Sequence, residues 1–253
     1  MAEEEKIRQH AKHALKSLMD KEKRWKARLI DFAWEVFIII VAVNVTLWFH
    51  NYSDKRHERQ QAKEFLIDIR EDLVQDTINI RNYINYTTND ILVYYDSVLT
   101  QISRNKINAQ YIDDNTDKLS TNNFNIAINF SKYQSFNSSG NMRLIENRQL
   151  LNDITYLYSE VFPRIPTILS DLYNRRNDAL DKYIGYKIGI ENNGMINVST
   201  IINHPEIKYL FKTEADNIKG INSGCEKIIN KIDAVIPKID NELKSRFNYE
   251  VKN

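Results

Sequence analysis

Three hydrophobic patterns follow one another along the chain. Residues 3–28 place Ile7, Ala11, Leu15, Leu18 and Trp25 on one stripe, with charge elsewhere, and predict a basic amphipathic helix. Leu29 to Phe49 is then almost wholly apolar. From Val36 to Phe49 no residue is charged, and Asn44 and Thr46 are the only polar side chains. Beyond it, Phe65, Ile69, Leu73, Ile80, Ile84, Ile91, Tyr95 and Val98 recur at helical spacing. No Gly or Pro interrupts residues 54–104, which predicts one helix of about 75 Å. A helix that long needs partners along its length.

The rest of the chain reads as shorter helices and one long one. Residues 105–123 are polar and predict a loop with a short helical turn. A helix is expected near 124–136, ending around Ser138-Ser139-Gly140-Asn141, where Gly or Asn suits a left-handed cap. Another starts at Glu146 or Asn147 and is kinked or broken by Pro163 and Pro166. The pattern resumes over 167–188, and 189–204 reads as a second loop. Pro205 suits the first turn of a final helix reaching residue 247. Its seam is Ile218, Ile221, Cys225, Ile228, Ile232, Val235 and Ile239, in alternating steps of three and four. Ile229, Ile236 and Leu243 widen that stripe to bundle width, and Pro237 should bend the helix near its end.

Nothing reads as strand. The expected fold is all-α: a single transmembrane helix continuing into an elongated up-and-down helical bundle. The 54–104 helix would pair with the final one, and the middle helices would pack at the end distant from the membrane or alongside. The domain reading is a cytoplasmic helix over 1–28, a transmembrane helix over 29–50 and an extracytoplasmic bundle over 51–253.

A spanning helix needs about 20 mostly apolar residues. Leu29–Phe49 meets that length if Asp31 and Glu35 lie near one interface. Trp34 and Trp48 bracket the run, and Tyr52 extends the outer aromatic belt. Residues 14–28 carry six Lys/Arg and residues 50–64 carry four, which favours a cytoplasmic N-terminus. The charged leader and the lack of a small-x-small site after the run read as an uncleaved signal anchor in the inner (cytoplasmic) membrane. Lipid is therefore the first expected partner.

Composition refines this picture. With Cys225 the only cysteine in 253 residues, no internal disulfide can form and the bundle stands by packing alone. Residues 1–28 hold nine Lys/Arg against five Asp/Glu, suited to anionic lipid. Residues 50–253 hold 26 against 27, with no basic face for nucleic acid. Six Gly and four Pro are too few for an all-β chain of tight turns.

Two blocks carry a resemblance. WEVFIIIVAVNVTLWFHNYSDKR (34–56), followed by EFLIDIREDL, and YQSFNSSGNMRLIENRQLLNDITYLYSE (133–160) together resemble an uncharacterised family of bacterial single-pass membrane proteins, known only as a domain of unknown function. The family pattern falls on Glu35, Asn51, Ser138, Ser139, Gly140, Leu144, Ile145 and Asn147. Ala42 stands where that pattern would have Gly, which puts close helix packing there in doubt. The resemblance implies a membrane protein with a helical domain and supplies no activity.

Candidate chemistry is sparse. Asp31 and Glu35 share a helix face. They suit a carboxylate ring in an oligomer or a basic partner in the membrane; the plainer reading is that both reach the headgroups near Arg28. Asn44 can hydrogen-bond between spanning helices. The turn Ser138, Ser139, Gly140, Asn141 and Arg143 offers backbone amides beside a cation, as for an anion or a partner, against a plain interhelical turn. His10 and His13 lack a third metal ligand, and Arg8 with His13 matches a two-residue helical ribonuclease pattern that arises easily by chance. Cys225 reads as core. No nucleotide, hydrolase or zinc motif is present, and no cofactor or catalytic residue is expected. The leading functional expectation is a non-enzymatic membrane-anchored protein acting through homo-oligomeric assembly or binding of another membrane protein. The alternatives are a homo-oligomeric pore or channel, and a small-ligand sensor that signals through a partner.

Overall fold

The computed structural model describes residues 2–119, 125–180 and 197–250, with side chains from Phe32 onward except at 177, 179 and 180. The described residues are helices and short connections, without a strand. Contacts divide the chain into two compact units, residues 1–60 and 61–253. The first helix, α1 (Ala2–Tyr86), belongs to both.

In the first unit α1 carries the apolar run. Every residue from Phe32 to His57 is exposed, including Trp34, Phe37, Ile38, Ile39, Trp48 and Phe49. This is the one helix among the described residues long and apolar enough to cross a membrane. Its aromatic side chains meet one another along the helix. Trp34 lies edge-on to Phe37, and Trp48 stacks on Tyr52 at 5.9 Å. The stripe expected over 3–28 falls where side chains are not described.

The second unit begins as α1 acquires a buried face. Ala62, Phe65, Leu66, Ile69, Leu73, Ile80 and Tyr83 enter a core. The helix passes through a π-helical segment, Thr87–Leu92, into α2 (Val93–Ser103). Antiparallel to it runs α7 (Pro205–Phe247). The cross-links fix the register: Arg70 with Asp240, Arg81 with Asp233, Thr87 with Asn222 and Asp96 with Lys219. This is the pairing the periodicity predicts. Pro205 occupies the first turn of α7, and Pro237 sits inside the helix without ending it. At the far end Asn248 turns left-handed (φ 51°), and the Tyr249 N–H closes on the Leu243 carbonyl.

The loop after α2 contains α3 (Ala109–Asp114), started by Asn108, whose side chain accepts from the Tyr111 N–H at 3.0 Å. The next helix corrects an expectation. Residues 125–130 are not helical, and α4 runs Ser131–Ser138 instead of 124–136. The cause is polar. Asn129 N–H donates to Asp76 and Asn129 Nδ2 to Asp72, while Asn79 donates to the Ala127 carbonyl. Backbone groups that a helix would pair are held by side chains of α1, and Asn129 Oδ1 then caps Ser131.

Gly140 ends α4 in the left-handed conformation (φ 72°), and Asn147 caps α5 (Arg148–Tyr156) by accepting from Leu150 N–H. A second π segment, Leu157–Val161, leads to a turn at Phe162–Pro163. The break precedes α6 (Arg164–Leu180), whose first turn accommodates Pro166. Residues 181–196, covering the end of the expected 167–188 helix and the first half of the second loop, lie outside the described residues. Among the middle elements, α4 lies on α1, with Phe136 stacked on Phe65 at 3.8 Å, and α5 lies on α7 through Asp153 and Lys238.

Two hydrophobic clusters result. One joins residues 62–83 of α1, the α4–α6 region and residues 225–243 of α7. The other joins α2, α3, residues 198–202 and the start of α7. Along the paired helices, Thr87 and Asn222 lie between them at 2.8 Å, and the Asn222 amide also reaches Thr88.

Candidate functional site

One ligand-sized space in the bundle lies between α6 and α7. The cleft has a volume of about 450 Å³, inside the roughly 300–1,000 Å³ usual for small-molecule sites. Its apolar lining includes Val161, Ile165, Ile168, Leu172, Ile221 and Ile228. Gly220 and Gly224, one turn apart on α7, face it. A Cβ added at either would meet no atom within 4 Å, so the α7 backbone itself forms part of the wall. The lining runs on α7 from Asp216 to Lys231, about 22 Å of helix.

Charged groups sit at the cleft's edges. Arg164 pairs with Glu160 at 3.2 Å, and Lys231 Nζ donates to the Tyr156 hydroxyl at 2.8 Å. Arg175 donates its Nε to the Asp171 carbonyl, which leaves its terminal nitrogens for solvent or a ligand. Behind the cleft, Arg176 and Glu214 form a buried ion pair at 2.8 Å between α6 and α7. Such a site can bind an apolar body and orient one polar group.

The membrane-segment and turn candidates read from sequence fall elsewhere, while Cys225 belongs to the cleft's lining. Glu35 is exposed on α1. Asn44 donates its Nδ2 to the Ile40 carbonyl at 2.7 Å, which leaves its side-chain oxygen outward in the apolar surface. The side chains of Asp31, Arg8, His10 and His13 lie outside the described residues. In the turn, Ser138 and Ser139 spend their hydroxyls on the Ser135 and Phe136 carbonyls. Ser139 and Asn141 line a groove that also holds Glu64, Asp68 and Lys132. Arg143 is exposed beyond Gly140. Cys225 is buried in the core, where burial, then Glu226, pushes its thiol up to about 11.

A second cluster escaped the sequence reading. Asp72 and Asp76, one turn apart on the buried face of α1, are 7% and 1% exposed. Burial raises both carboxyls, that of Asp76 to about 7. The Tyr158 hydroxyl shares their surroundings, and burial followed by the charges of Asp76 and Asp72 pushes it up. The available signal was two acids falling in line with Ile69, Leu73 and Ile80, where a core-facing stripe has apolar residues. For the cleft the signal was Gly220-x-x-x-Gly224 within an otherwise Ile-rich helix.

Comparison of the chain with protein-family models, with curated proteins and with solved structures finds no match. The resemblance carried by residues 34–56 and 133–160 thus rests on those blocks alone.

Proposed function

We propose that this is a non-enzymatic, membrane-anchored helical protein that acts by assembly or by binding another membrane protein. The observation that carries the reading is the exposure of Phe32–Phe49. An apolar surface on every side of one helix is covered by nothing among the described residues. In water such a surface is costly, and a bilayer about 30 Å thick removes the cost over that length. Within lipid the outward Asn44 oxygen is a polar group that a second helix can satisfy, which favours association. The charge bias supports a cytoplasmic N-terminus in the inner membrane, with the bundle outside.

The test is the mass of the full-length particle by light scattering in mild detergent, with chemical crosslinking in native membranes. A dimer, small oligomer or crosslinked membrane partner is expected. A monomer without a crosslinked partner counts against the proposal, and a ring of many copies moves it to the pore reading.

A second reading has the cleft in its favour: a binding module for a small, mostly apolar ligand carrying one polar group, with signal passed to a partner. Lined by Ile168, Leu172, Ile221 and Ile228 and edged by Arg175 and Lys231, the cleft suits that chemistry. Thermal-shift screening of the full-length protein against amphiphilic metabolites tests it.

A further inference from the structure

Ionised Asp76 would be a buried negative charge without a countercharge among the described residues. It is 1% exposed, and its Oδ1 accepts from the Asn129 N–H at 3.2 Å. Its Oδ2 has no hydrogen-bond partner among the described residues, nor have Asp72 Oδ2 and the Tyr158 hydroxyl. Three orphaned polar atoms in one buried region are costly unless something there changes protonation.

The surrounding charges decide what. On α1 itself, Asp68 and Asp72 are negative, while Arg70 and Arg81 are turned to Asp240 and Asp233 of α7. Among the described residues before α4, the neutral Asn129 is the group that meets Asp76. From α4, Lys132 sits 3.2 Å from Asp68 and 3.6 Å from Asp72, so its charge is committed to them. From α4 and the second π segment come the neutral phenols Tyr133 and Tyr158, stacked at 4.6 Å. The α7 members of the core cluster on this side of Thr87 are apolar, Ile229 and Ile232 among them. A proton is the simplest neutraliser.

We infer that Asp76 is the proton-binding centre of a pH-sensitive clasp, which holds residues 125–138 on α1 when protonated and releases them when the proton is lost. Asn129 N–H on Asp76 and Asn129 Nδ2 on Asp72 are the ties that answer to this proton, beside the Asn79 amide on the Ala127 carbonyl, Lys132 on Asp68 and Asp72, and Phe136 on Phe65. Burial pushes the Asp76 carboxyl up to about 7, and it outweighs the opposite pull of the Asn129 N–H. Ionisation therefore favours letting water in, and water enters by parting the segment from the helix. The clasp stands independently of the membrane and ligand readings.

The experiment is hydrogen exchange by mass spectrometry on the full-length protein in detergent from about pH 6 to about pH 8.5, with labelling times scaled to the intrinsic rate. Protection over 125–138 is expected to fall about tenfold more than protection over the α7 core, and Asp76→Asn is expected to abolish the difference. Equal pH dependence in both regions, or an unchanged response in Asp76→Asn, overturns the inference. Should that variant fail to fold, carboxyl-carbon NMR of the ¹³C-aspartate-labelled wild type decides. A resonance titrating near neutral pH is expected; titration of every aspartate below about pH 5 overturns it.

Discussion

Arg176 on α6 donates from Nε to Glu214 on α7 at 2.8 Å, and the two side chains are 1% and 5% exposed. Asn217 adds a donor to the other Glu214 oxygen at 3.4 Å. Burying the pair strips hydration from two charges, and the remaining charge is stranded if one partner goes. Arg176→Leu or Glu214→Leu is expected to destabilise the protein by about 3–5 kcal/mol. The double substitution should cost far less than the two singles together. Denaturation of the full-length protein in detergent, followed by circular dichroism, checks this. Additive losses would mean that the pair does not act as a unit.

That pair shows where sequence reading stops. The all-α class, the pairing of residues 54–104 with the last helix and the core position of Cys225 follow from periodicity, because burial repeats with the helical turn. Arg176 lies among the charged residues of α6 with no local mark that it is buried; its environment is set by Glu214, 38 positions away. The non-helical run before α4 was equally hidden. It arises because Asp72 and Asp76 compete for the backbone and side chain of Asn129, and no propensity within residues 124–130 announces that. The cleft needs two helices to exist. Only its glycine spacing was visible in one of them.

Thr87 and Asn222 separate two apolar clusters at the π-helical segment of the first long helix. Thr87→Val removes the hydroxyl and leaves part of the Asn222 amide unmatched, a loss of roughly 1–3 kcal/mol. Thr87→Val with Asn222→Leu replaces both partners by apolar groups and should recover most of it. Thermal melting of both variants beside wild type is the check. A double variant as unstable as the single one would give Asn222 a further role, through Thr88.

The stability of the protein should fall as pH rises through the Asp76 titration. Its carboxyl moves from an ordinary 3.8 up to about 7 in the fold. Between those values the folded state binds more protons than the unfolded one, so its advantage shrinks with increasing pH. The one-proton limit is about 1.4 kcal/mol per pH unit. Asp76→Asn keeps an acceptor for Asn129 and cannot ionise. It is expected to be more stable than wild type above neutral pH, and the gap should close towards pH 4. Denaturant midpoints across this range for the two proteins measure the difference directly; a constant gap would show that Asp76 does not titrate there.

Asn44 is expected to contribute to association within the membrane. Its Nδ2 is satisfied by Ile40, and its outward oxygen lies in an apolar surface exposed on all sides. Asn44→Leu should weaken self- or partner association by about 0.6–2 kcal/mol while leaving the helix intact. Energy transfer between labelled chains in vesicles reads the change. Unaltered transfer would place association elsewhere, with Glu35→Leu the next variant.

Gly220 and Gly224 offer a separation of stability from binding. Both lie inside α7, where glycine costs about 1 kcal/mol relative to alanine, and a Cβ at either meets no atom within 4 Å. Gly220→Ala and Gly224→Ala are therefore each expected to stabilise the protein by about 0.5–1 kcal/mol. A larger side chain would extend into the cleft beside Ile168 and Ile221. Gly224→Leu should fold as well as wild type and lose the thermal shift produced by an amphiphilic ligand. Retained ligand response in a folded Gly224→Leu protein would move the binding site out of the cleft. Loss of response together with lower stability than wild type would show that the cleft wall is already packed, because open space at that Cβ predicts no such loss.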